Sequence, residues 1–345
     1  MQQYIIGDNE AGQRFDKYIK KLLKEAPDSF IYKMLRKKNI VLNGKKSTGN
    51  EKLEKQDIVK IFLADDTFFK FSGQKQDTIS NGQSNCADKI IMQYQNAFQT
   101  FPNITVIYED EEILVLNKPV GVLSQKAAAD DVSLNEWMLG YLLEKGIITV
   151  DSLSTFKPSI CNRLDRNTSG MVVCGKTLAG SQYMSRIIKE KTLEKYYHCL
   201  VPGKILINER LTGYLYKDSA SNKVTIYKTE DEIPAGRLTK AEFIDTQFHT
   251  LKADNDCSLL EVQLFTGKTH QIRAHLASIG HPIIGDYKYG SAAINKKYAS
   301  LGVTSQLLHA YRLVFPPTQE ERFHNISKLV LTCPEPEIFE KLRAQ

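Results

Sequence analysis

Long apolar stretches are missing from this 345-residue chain, and so is any Cys-x-x-Cys pair among its six cysteines. The lack of an apolar run of membrane length and of a signal peptide favours a protein of the reducing cytoplasm. In that compartment the cysteines are expected to be small buried thiols, rather than zinc ligands or a disulfide framework. Internal repeats are missing as well.

The positive charge is concentrated at one end of the chain. Residues 1–63 carry 14 Lys and Arg against 8 Asp and Glu, which accounts for the whole formal net charge of +6. Such asymmetry suggests an appendage that binds RNA through its phosphates, a contact that adds affinity without sequence information. A solvated basic face without a partner is the alternative interpretation.

The sequence of the appendage predicts an order of helices and strands. Apolar residues at Phe15, Tyr18, Ile19, Leu22 and Leu23 have helical spacing, and a second, basic helix is predicted over 29–38. A strand over 40–42 enters an Asn-Gly turn, and 58–62 form a closing strand. This order resembles the alpha-L RNA-binding module of a small-subunit ribosomal protein. There the basic helix and the following turn contact RNA, so the resemblance implies the binding residues Arg36, Lys37, Lys38 and Lys45.

A polar stretch follows the appendage. Residues 70–103 are rich in Gln, Ser, Asn and Gly, and we predict a linker between an RNA-binding domain over 1–69 and a second domain over 104–345. Helices are predicted there over 134–144, 178–189 and 272–279. Strands are predicted near Val106, Leu114, Val172, Tyr197, Ala241, Leu260 and Leu313. This alternation predicts an α+β domain around a mixed sheet, long enough to bury a core.

One acidic residue stands between two arginines in the segment Asn-Arg-Leu-Asp-Arg-Asn-Thr-Ser-Gly, residues 162–170. The flanking guanidinium groups of Arg163 and Arg166 favour the ionised form of Asp165. The Thr-Ser-Gly run predicts a tight turn into a strand over 171–174. A carboxylate held in this way suits a nucleophile. Taken alone, such a triplet is more often a structural ion-pair cluster on the surface.

The triplet does not stand alone. Its segment resembles the signature of the RluA-type pseudouridine synthases, which is His-Arg-Leu-Asp, two variable residues and Thr-Ser-Gly. Residues 108–121, which end in Asn-Lys-Pro-Val-Gly, look like the family's opening motif. Residues 264–276 are similar to its Thr-Gly-Arg-Thr-His-Gln-Ile-Arg element. Three blocks in the right order, with shorter matches at 195–197 and 308–310, are a specific signal.

The resemblance implies a fold, an activity and roles for the matching residues. The implied fold is the pseudouridine synthase fold, with a mostly antiparallel sheet. Asp165 becomes the catalytic aspartate, Tyr197 lies where a ring carbon loses its proton, and Arg273 pairs with Asp165. Without the resemblance, Tyr197 is more often core packing and Arg273 a helix-surface salt bridge. The implied substrate-binding residues are Arg163, Arg166, Lys118, Lys268, His270, Gln271 and Leu264.

Pseudouridine formation breaks a carbon–nitrogen glycosidic bond, turns the uracil and re-forms the link through a ring carbon. A carboxylate can assist by attacking an electrophilic carbon or by stabilising positive character at the sugar, so neither a cofactor nor a metal is expected. His270 and His275 are not expected to bind metal, because their spacing takes them off a shared helical face. The target base must leave its stack, which favours loops and bulges as substrates.

Three positions depart from the family pattern. Asn162 stands where His is common, and Gln125 lies where a His-containing turn is frequent, so both are expected to line the approach to the base. Lys268 replaces a common Arg, which keeps a phosphate-binding charge but loses the planar fork.

Three functions remain open at this point. The first is a synthase that acts on large-subunit ribosomal RNA, with no membrane and no obligate protein partner implied; transfer RNA is not excluded as a substrate. The second is a non-catalytic RNA-binding assembly factor. The third is a nucleoside hydrolase that releases free uracil.

Overall fold

The computed structural model describes residues 1–7, 9–73, 86–150, 152–218, 221 and 223–343. The helices are α1 Phe15–Leu22, α2 Asp28–Arg36, α3 Asp65–Ser72, α4 Cys86–Thr100, α5 Leu134–Glu144, α6 Ser152–Thr155, α7 Leu178–Lys189, α8 Gln271–Ser278, α9 Ala292–Ala299 and α10 Glu337–Arg343. The strands are β1 Gln2–Ile5, β2 Ile40–Leu42, β3 Ile58–Ile61, β4 Thr105–Glu109, β5 Ile113–Lys118, β6 Ser159–Ile160, β7 Ser169–Gly175, β8 Glu194–Pro202, β9 Asn208–Lys217, β10 Val224–Tyr227, β11 Ala241–Ala253, β12 Cys257–Leu264, β13 Leu308–Val314 and β14 Val330–Thr332. Short 3-10 segments span Glu230–Glu232, Leu238–Lys240 and Glu321–Ile326.

The N-terminal residues have their own small core. Strands β1, β3 and β2 pair antiparallel in that order, and the apolar faces of α1 and α2 pack with them. The predicted helices and strands of the appendage are present. Asn43 and Gly44 have φ values of 51° and 72°, as the predicted Asn-Gly turn requires.

The predicted linker over 70–103 is wrong in its C-terminal half. Residues 74–85 lie outside the described residues, but α4 packs along α5 and buries Tyr94 and Ala97. The Phe98 and Trp137 rings lie 5.2 Å apart between centroids. Apolar residues at 90, 94, 97, 98 and 101 have helical spacing, although the composition around them is polar. The division into domains at 69 and 103 stays a prediction.

A mixed sheet carries the rest of the fold. Eleven strands of the described residues pair in the order β10-β9-β11-β12-β8-β13-β7-β5-β4, with β14 on β13 and β6 on β7. Only β7 and β13 are parallel among these pairs. The fold is therefore α+β with a mostly antiparallel sheet, and the predicted fold class is confirmed.

The centre of the sheet positions the loop that precedes β7. Strands β7 and β13 approach so closely at Gly170 that a Cβ there would lie 2.4 Å from the Ala310 carbonyl oxygen, and Gly170 has a φ of 110°. A residue other than glycine would therefore be strained and would clash. Because β7 and β13 run parallel, the loops that lead into them lie side by side: the Gln306 amide donates to the Thr168 hydroxyl at 3.4 Å.

Cys174, Cys199, Cys257 and Cys333 are buried free thiols, and Cys161 is half-buried. Within the described ranges, no helix is long and apolar enough to cross a membrane.

Candidate active site

Asp165 lies in the loop between β6 and β7, and its backbone is fixed on both sides. The Thr168 amide donates to the Asp165 carbonyl at 3.0 Å, which closes the predicted turn, although β7 begins at Ser169 rather than at Met171. On the other side, the buried Ser124 hydroxyl accepts from the Leu164 amide at 3.0 Å and donates to the Leu164 carbonyl at 2.7 Å. The Asp165 side chain itself is 26% exposed, so it can reach a bound molecule.

Lys118 lies beneath this loop, not at its surface. Its side chain is fully buried, and Nζ donates to the carbonyls of Pro119, Val122 and Arg166 at 3.1, 2.9 and 3.0 Å. Burial lowers the pKa of Lys118 to about 7, and the nearby Asp165 carboxylate opposes that shift. The expectation that Lys118 contacts substrate is wrong, because its three N–H groups join the first motif to the Asp165 loop.

Arg273 holds Asp165 from α8. Its Nη1 donates to Asp165 Oδ2 at 2.7 Å, so the predicted pairing is present. Its Nε and Nη2 donate to the two oxygens of Asp286 at 2.7 and 3.0 Å. Burial works against the charge of Arg273, but the ion pairs with Asp286 and Asp165 outweigh it and raise the pKa of Arg273. A permanent cation therefore faces the Asp165 carboxylate.

The two arginines that flank Asp165 in the chain do not hold it. Arg163 and Arg166 are both exposed, and Arg166 donates from Nε to the Gly121 carbonyl at 3.1 Å. Across the described part of the chain, neither forms an ion pair with Asp165. The ion pairing expected of these two arginines with Asp165 is therefore made by Arg273.

His270 is the second group near Asp165 Oδ2, with Nε2 at 3.8 Å. Its Nδ1 lies 2.9 Å from the Tyr289 hydroxyl, which also accepts from the Val224 amide at 3.1 Å. Burial lowers the pKa of His270, while the Asp165 charge raises it. The backbone of His270 is left-handed, with a φ of 55°, which turns the chain into α8.

Tyr197 of β8 completes the site. Its side chain is 7% exposed, and among the described residues its hydroxyl has no hydrogen-bond partner. Tyr197 pairs with Ala310 of β13, and Ala310 pairs with Gly170 of β7, the strand that follows the Asp165 loop. Burial raises the pKa of Tyr197, and the charge of Asp165 raises it further. The Tyr197 ring is part of the main hydrophobic core, so this residue packs in the core and also belongs to the candidate site.

Two other predicted substrate-binding residues are used inside the protein, and a third lies at the surface. Gln271 is 2% exposed: its Nε2 donates to the Thr246 hydroxyl and to a β11 carbonyl, and its Oε1 accepts from Thr266 and from the Lys268 amide. Leu264 is buried in the core. The expectation that Gln271 and Leu264 contact the substrate directly is therefore wrong, because both side chains are buried. Lys268 is one-third exposed, and its ammonium pairs with Glu242.

The departures from the family pattern have different surroundings. The Asn162 side-chain oxygen accepts from the Val173 amide at 2.8 Å, so it fixes the loop to β7. This contact differs from the expectation that Asn162 lines the approach to the base. Gln125 is exposed.

Sequence reasoning missed Asp286, Ser124 and Tyr289. Asp286 left a signal, because it is the only acidic residue between Glu261 and Glu320 and it follows an Ile-Ile-Gly run. A lone acid in an apolar context indicates a buried cationic partner.

The basic residues of the appendage are available to a ligand. Arg36, Lys37, Lys38 and Lys45 are all exposed, and none forms an ion pair within the described residues. The appendage contacts the rest of the chain at Glu10, whose Oε1 accepts from the buried Thr155 hydroxyl at 2.6 Å. Within the described ranges, no group of three His, Cys, Asp or Glu could hold a metal ion.

Comparisons with known proteins find chains similar to this one. Residues 112–278 match the family model described as RNA pseudouridylate synthase, a span that includes Asp165, Tyr197 and Arg273. The chain is 28% identical over 332 residues to the ribosomal large subunit pseudouridine synthase C of Haemophilus ducreyi. The aligned segment covers 94% of this chain and 91% of the relative. The chain is 29% identical to the Pasteurella multocida protein of the same name, over 91% of this chain and 86% of the relative.

Two further similarities extend this picture. An uncharacterised RNA pseudouridine synthase of Mycoplasma genitalium is 28% identical over 93% of this chain and 91% of its own length. Among solved structures, human RNA pseudouridylate synthase domain containing 4 has the same fold, with a TM-score of 0.54 and 19% identity over 73% of this chain and 97% of that protein.

Proposed function

The chain belongs to the RNA pseudouridylate synthase family, and on that premise we propose that the RNA on which it acts is large-subunit ribosomal RNA. The activity itself follows from the family: the protein is an isomerase that converts uridine in RNA to pseudouridine. The relatives named above as ribosomal large subunit enzymes support the choice of substrate. We place the reaction in the cytoplasm, and no obligate protein partner is required by this proposal.

The observation that carries the proposal is the state of the Asp165 carboxylate. It is partly exposed, and it is bound through Oδ2 by a buried arginine. Tyr197, whose hydroxyl has no hydrogen-bond partner among the described residues, lies two strands away from the strand that follows Asp165. A carboxylate in this setting can assist departure of the base, either as nucleophile or as stabiliser of positive charge at the sugar. Asp165 is proposed for that step.

The other proposed roles follow from position. Tyr197 is proposed to act at the ring carbon that loses its proton, because its hydroxyl has no hydrogen-bond partner in the described part of the chain. Arg273 is proposed to keep Asp165 oriented and ionised. Arg163 and Arg166 are exposed, Lys268 is one-third exposed and His270 lies beside Asp165. These four residues are proposed to contact the nucleotide or its neighbouring phosphates.

The N-terminal residues are proposed as an alpha-L type RNA-binding domain. Arg36, Lys37 and Lys38 end one helix and Lys45 follows the Asn-Gly turn, so four exposed cations lie on a short stretch of chain. Their contacts with phosphates supply affinity, while the choice of uridine is made elsewhere.

The proposal is tested by mapping pseudouridine across cellular RNA with a carbodiimide-based reverse-transcription stop. Three strains are compared: one with the gene intact, one without it, and one that carries Asp165→Asn. We expect the same few large-subunit positions to be lost in the deletion and in the variant. A loss confined to transfer RNA would contradict the proposed substrate.

A further inference from the structure

Asp286 is buried next to the site but lies outside the family-matched segment 112–278. Its carboxylate accepts four N–H groups: Nε and Nη2 of Arg273 at 2.7 and 3.0 Å, and the amides of Lys288 and Tyr289 at 2.9 and 3.1 Å. A buried carboxylate with this many donors is ionised and has little freedom to rotate. Burial opposes the charge of Asp286, but these donors outweigh burial and lower the pKa of Asp286.

This arrangement limits what Arg273 can offer to Asp165. A guanidinium group binds a carboxylate most strongly through a two-pronged edge, and Asp286 occupies the Nε–Nη2 edge. Only Nη1 reaches Asp165, and it bonds Oδ2 alone. His270 also faces Oδ2, at 3.8 Å. Among the described residues, no hydrogen bond is made to Asp165 Oδ1.

Building on the isomerase function, we propose that Asp286 is a positioning residue: it restricts Arg273 to a one-pronged contact with Asp165 Oδ2 and so leaves Oδ1 to face the nucleotide. Without the Asp286 carboxylate, the guanidinium is free to turn its two-pronged edge to Asp165 and engage both oxygens. Asp165 would then stay ionised but would have no uncommitted oxygen for the substrate.

The same carboxylate also organises the second group that faces Oδ2. Asp286 accepts the Tyr289 amide, and the Tyr289 hydroxyl holds His270 Nδ1 at 2.9 Å. The Arg273 guanidinium lies 5.3 Å from the centroid of the Tyr289 ring, so the three side chains form one packed group. Asp286 therefore fixes Arg273 directly and His270 through Tyr289.

The test is Asp286→Asn, which preserves size but removes the charge. The substrate is an unmodified transcript that carries the uridine identified by the mapping described above, and the readout is pseudouridine formed. We expect kcat to fall by about 30-fold or more while KM changes by less than about 2-fold, because an interaction that acts on the reacting carboxylate affects kcat and not binding. A change in KM alone, or unchanged kinetics, would overturn the proposal.

Asp245→Asn is the matched control. Asp245 is also buried and also accepts Nε and Nη2 of one arginine, Arg210, at 2.9 and 2.6 Å, but that arginine does not contact Asp165. We expect its kcat to stay within about 2-fold of the wild-type value. An equal fall in both variants would mean that loss of any buried ion pair lowers activity, and the proposal would fail.

A double-mutant cycle tests whether Asp286 acts through Arg273. Arg273→Lys removes the fork, so adding Asp286→Asn to it is expected to change kcat by less than about 3-fold, whereas independent effects would multiply.

Where Asp286→Asn gives no folded protein, Asp286→Glu is measured in its place. Its longer side chain displaces the guanidinium, so the same fall in kcat is expected, and wild-type kinetics would refute the proposal. If the wild-type enzyme itself forms no pseudouridine, the proposed function falls, and this inference falls with it.

Discussion

Arg273 donates from Nη1 to Asp165 Oδ2 at 2.7 Å, although the two residues are 108 positions apart in the chain. The contact exists because α8 follows β12 while the Asp165 loop precedes β7, and the central strands of the sheet bring both to the same place. It joins two of the three motifs that carry the family resemblance into one site. The account of function rests on this pair, with Tyr197 beside it.

Replacing Tyr197 with Phe removes only the hydroxyl. Because the ring stays and the hydroxyl bonds to none of the described residues, we expect the free energy of unfolding to change by less than about 1 kcal/mol. We expect kcat to fall by about 100-fold or more, the usual range for a lost proton-transfer group. Single-turnover rates and urea unfolding measure the two quantities. Normal turnover in a folded Tyr197→Phe protein would assign the residue to packing alone.

The basic residues of the appendage are expected to control affinity and not turnover. Changing Arg36, Lys37, Lys38 and Lys45 to Gln should reduce the slope of log K against log salt by about 3, at roughly 0.7 per lost phosphate contact with single-stranded RNA. At saturating RNA, kcat should stay unchanged. Filter binding over a salt series measures the slope.

The control for this prediction carries the same change in charge elsewhere. Lys189, Lys191, Lys296 and Lys341 are exposed and lie outside the N-terminal residues. Their replacement by Gln should leave the salt slope close to the wild-type value. Equal effects of both sets would mean that net charge, and not the appendage, sets the affinity.

Gly170→Ala is expected to destabilise the centre of the sheet. The added Cβ would lie 2.4 Å from the Ala310 carbonyl oxygen, at a φ of 110° that alanine rarely adopts. We expect a loss of about 2–4 kcal/mol in the free energy of unfolding, from backbone strain and overpacking together. Gly236→Ala, where a Cβ meets nothing within 4 Å, is the control. Equal stability of the two variants, measured by urea unfolding, would contradict the close approach of β7 and β13.

Two buried histidines make the free energy of unfolding depend on pH. Burial lowers the pKa of His275 and of His309 to about 4. In the unfolded chain each histidine binds a proton near pH 6.5, whereas in the folded protein it does so only near pH 4. The stability that the two neutral histidines contribute is therefore complete above pH 6.5 and is lost as the pH falls toward 4. Below pH 4 the free energy of unfolding no longer changes through these two groups. Each histidine steepens the fall by at most about 1.4 kcal/mol per pH unit.

Urea unfolding between pH 7 and pH 4.5 measures this dependence. His275→Gln and His309→Gln are each expected to flatten the loss of stability with acid, whereas the exposed His249→Gln is not. The same pH dependence in all three variants would refute the assignment to the buried pair.

Local signals were enough for much of the fold. Helix α2 and the Asn43-Gly44 turn follow from spacing and from turn chemistry, and strands β5, β7 and β8 follow from apolar runs. The pairing of Arg273 with Asp165 was implied by the family resemblance. Helix α4 was missed because its apolar stripe, with Tyr94 and Ala97, lies in a polar composition.

The surroundings of several site residues depend on tertiary contacts, which the sequence does not reveal. Lys118 reads as a basic residue of a surface turn, yet three carbonyls that surround its ammonium group can only be seen in the folded chain. The same holds for Gln271, whose four hydrogen bonds lie inside the protein, and for Asn162, which bonds to the backbone of β7. Asp286 has no motif of its own, so its partnership with Arg273 depended on the fold.

The most direct test of the central claim uses RNA labelled with tritium at the uracil ring carbon that becomes attached to the sugar. Total RNA from cells without the gene is labelled and incubated with purified wild-type enzyme or with Asp165→Asn. The account predicts tritium release and an equal amount of pseudouridine with the wild-type enzyme, and neither with the variant, although both proteins bind the RNA alike. Release of free uracil, or turnover by Asp165→Asn equal to that of the wild type, would contradict it.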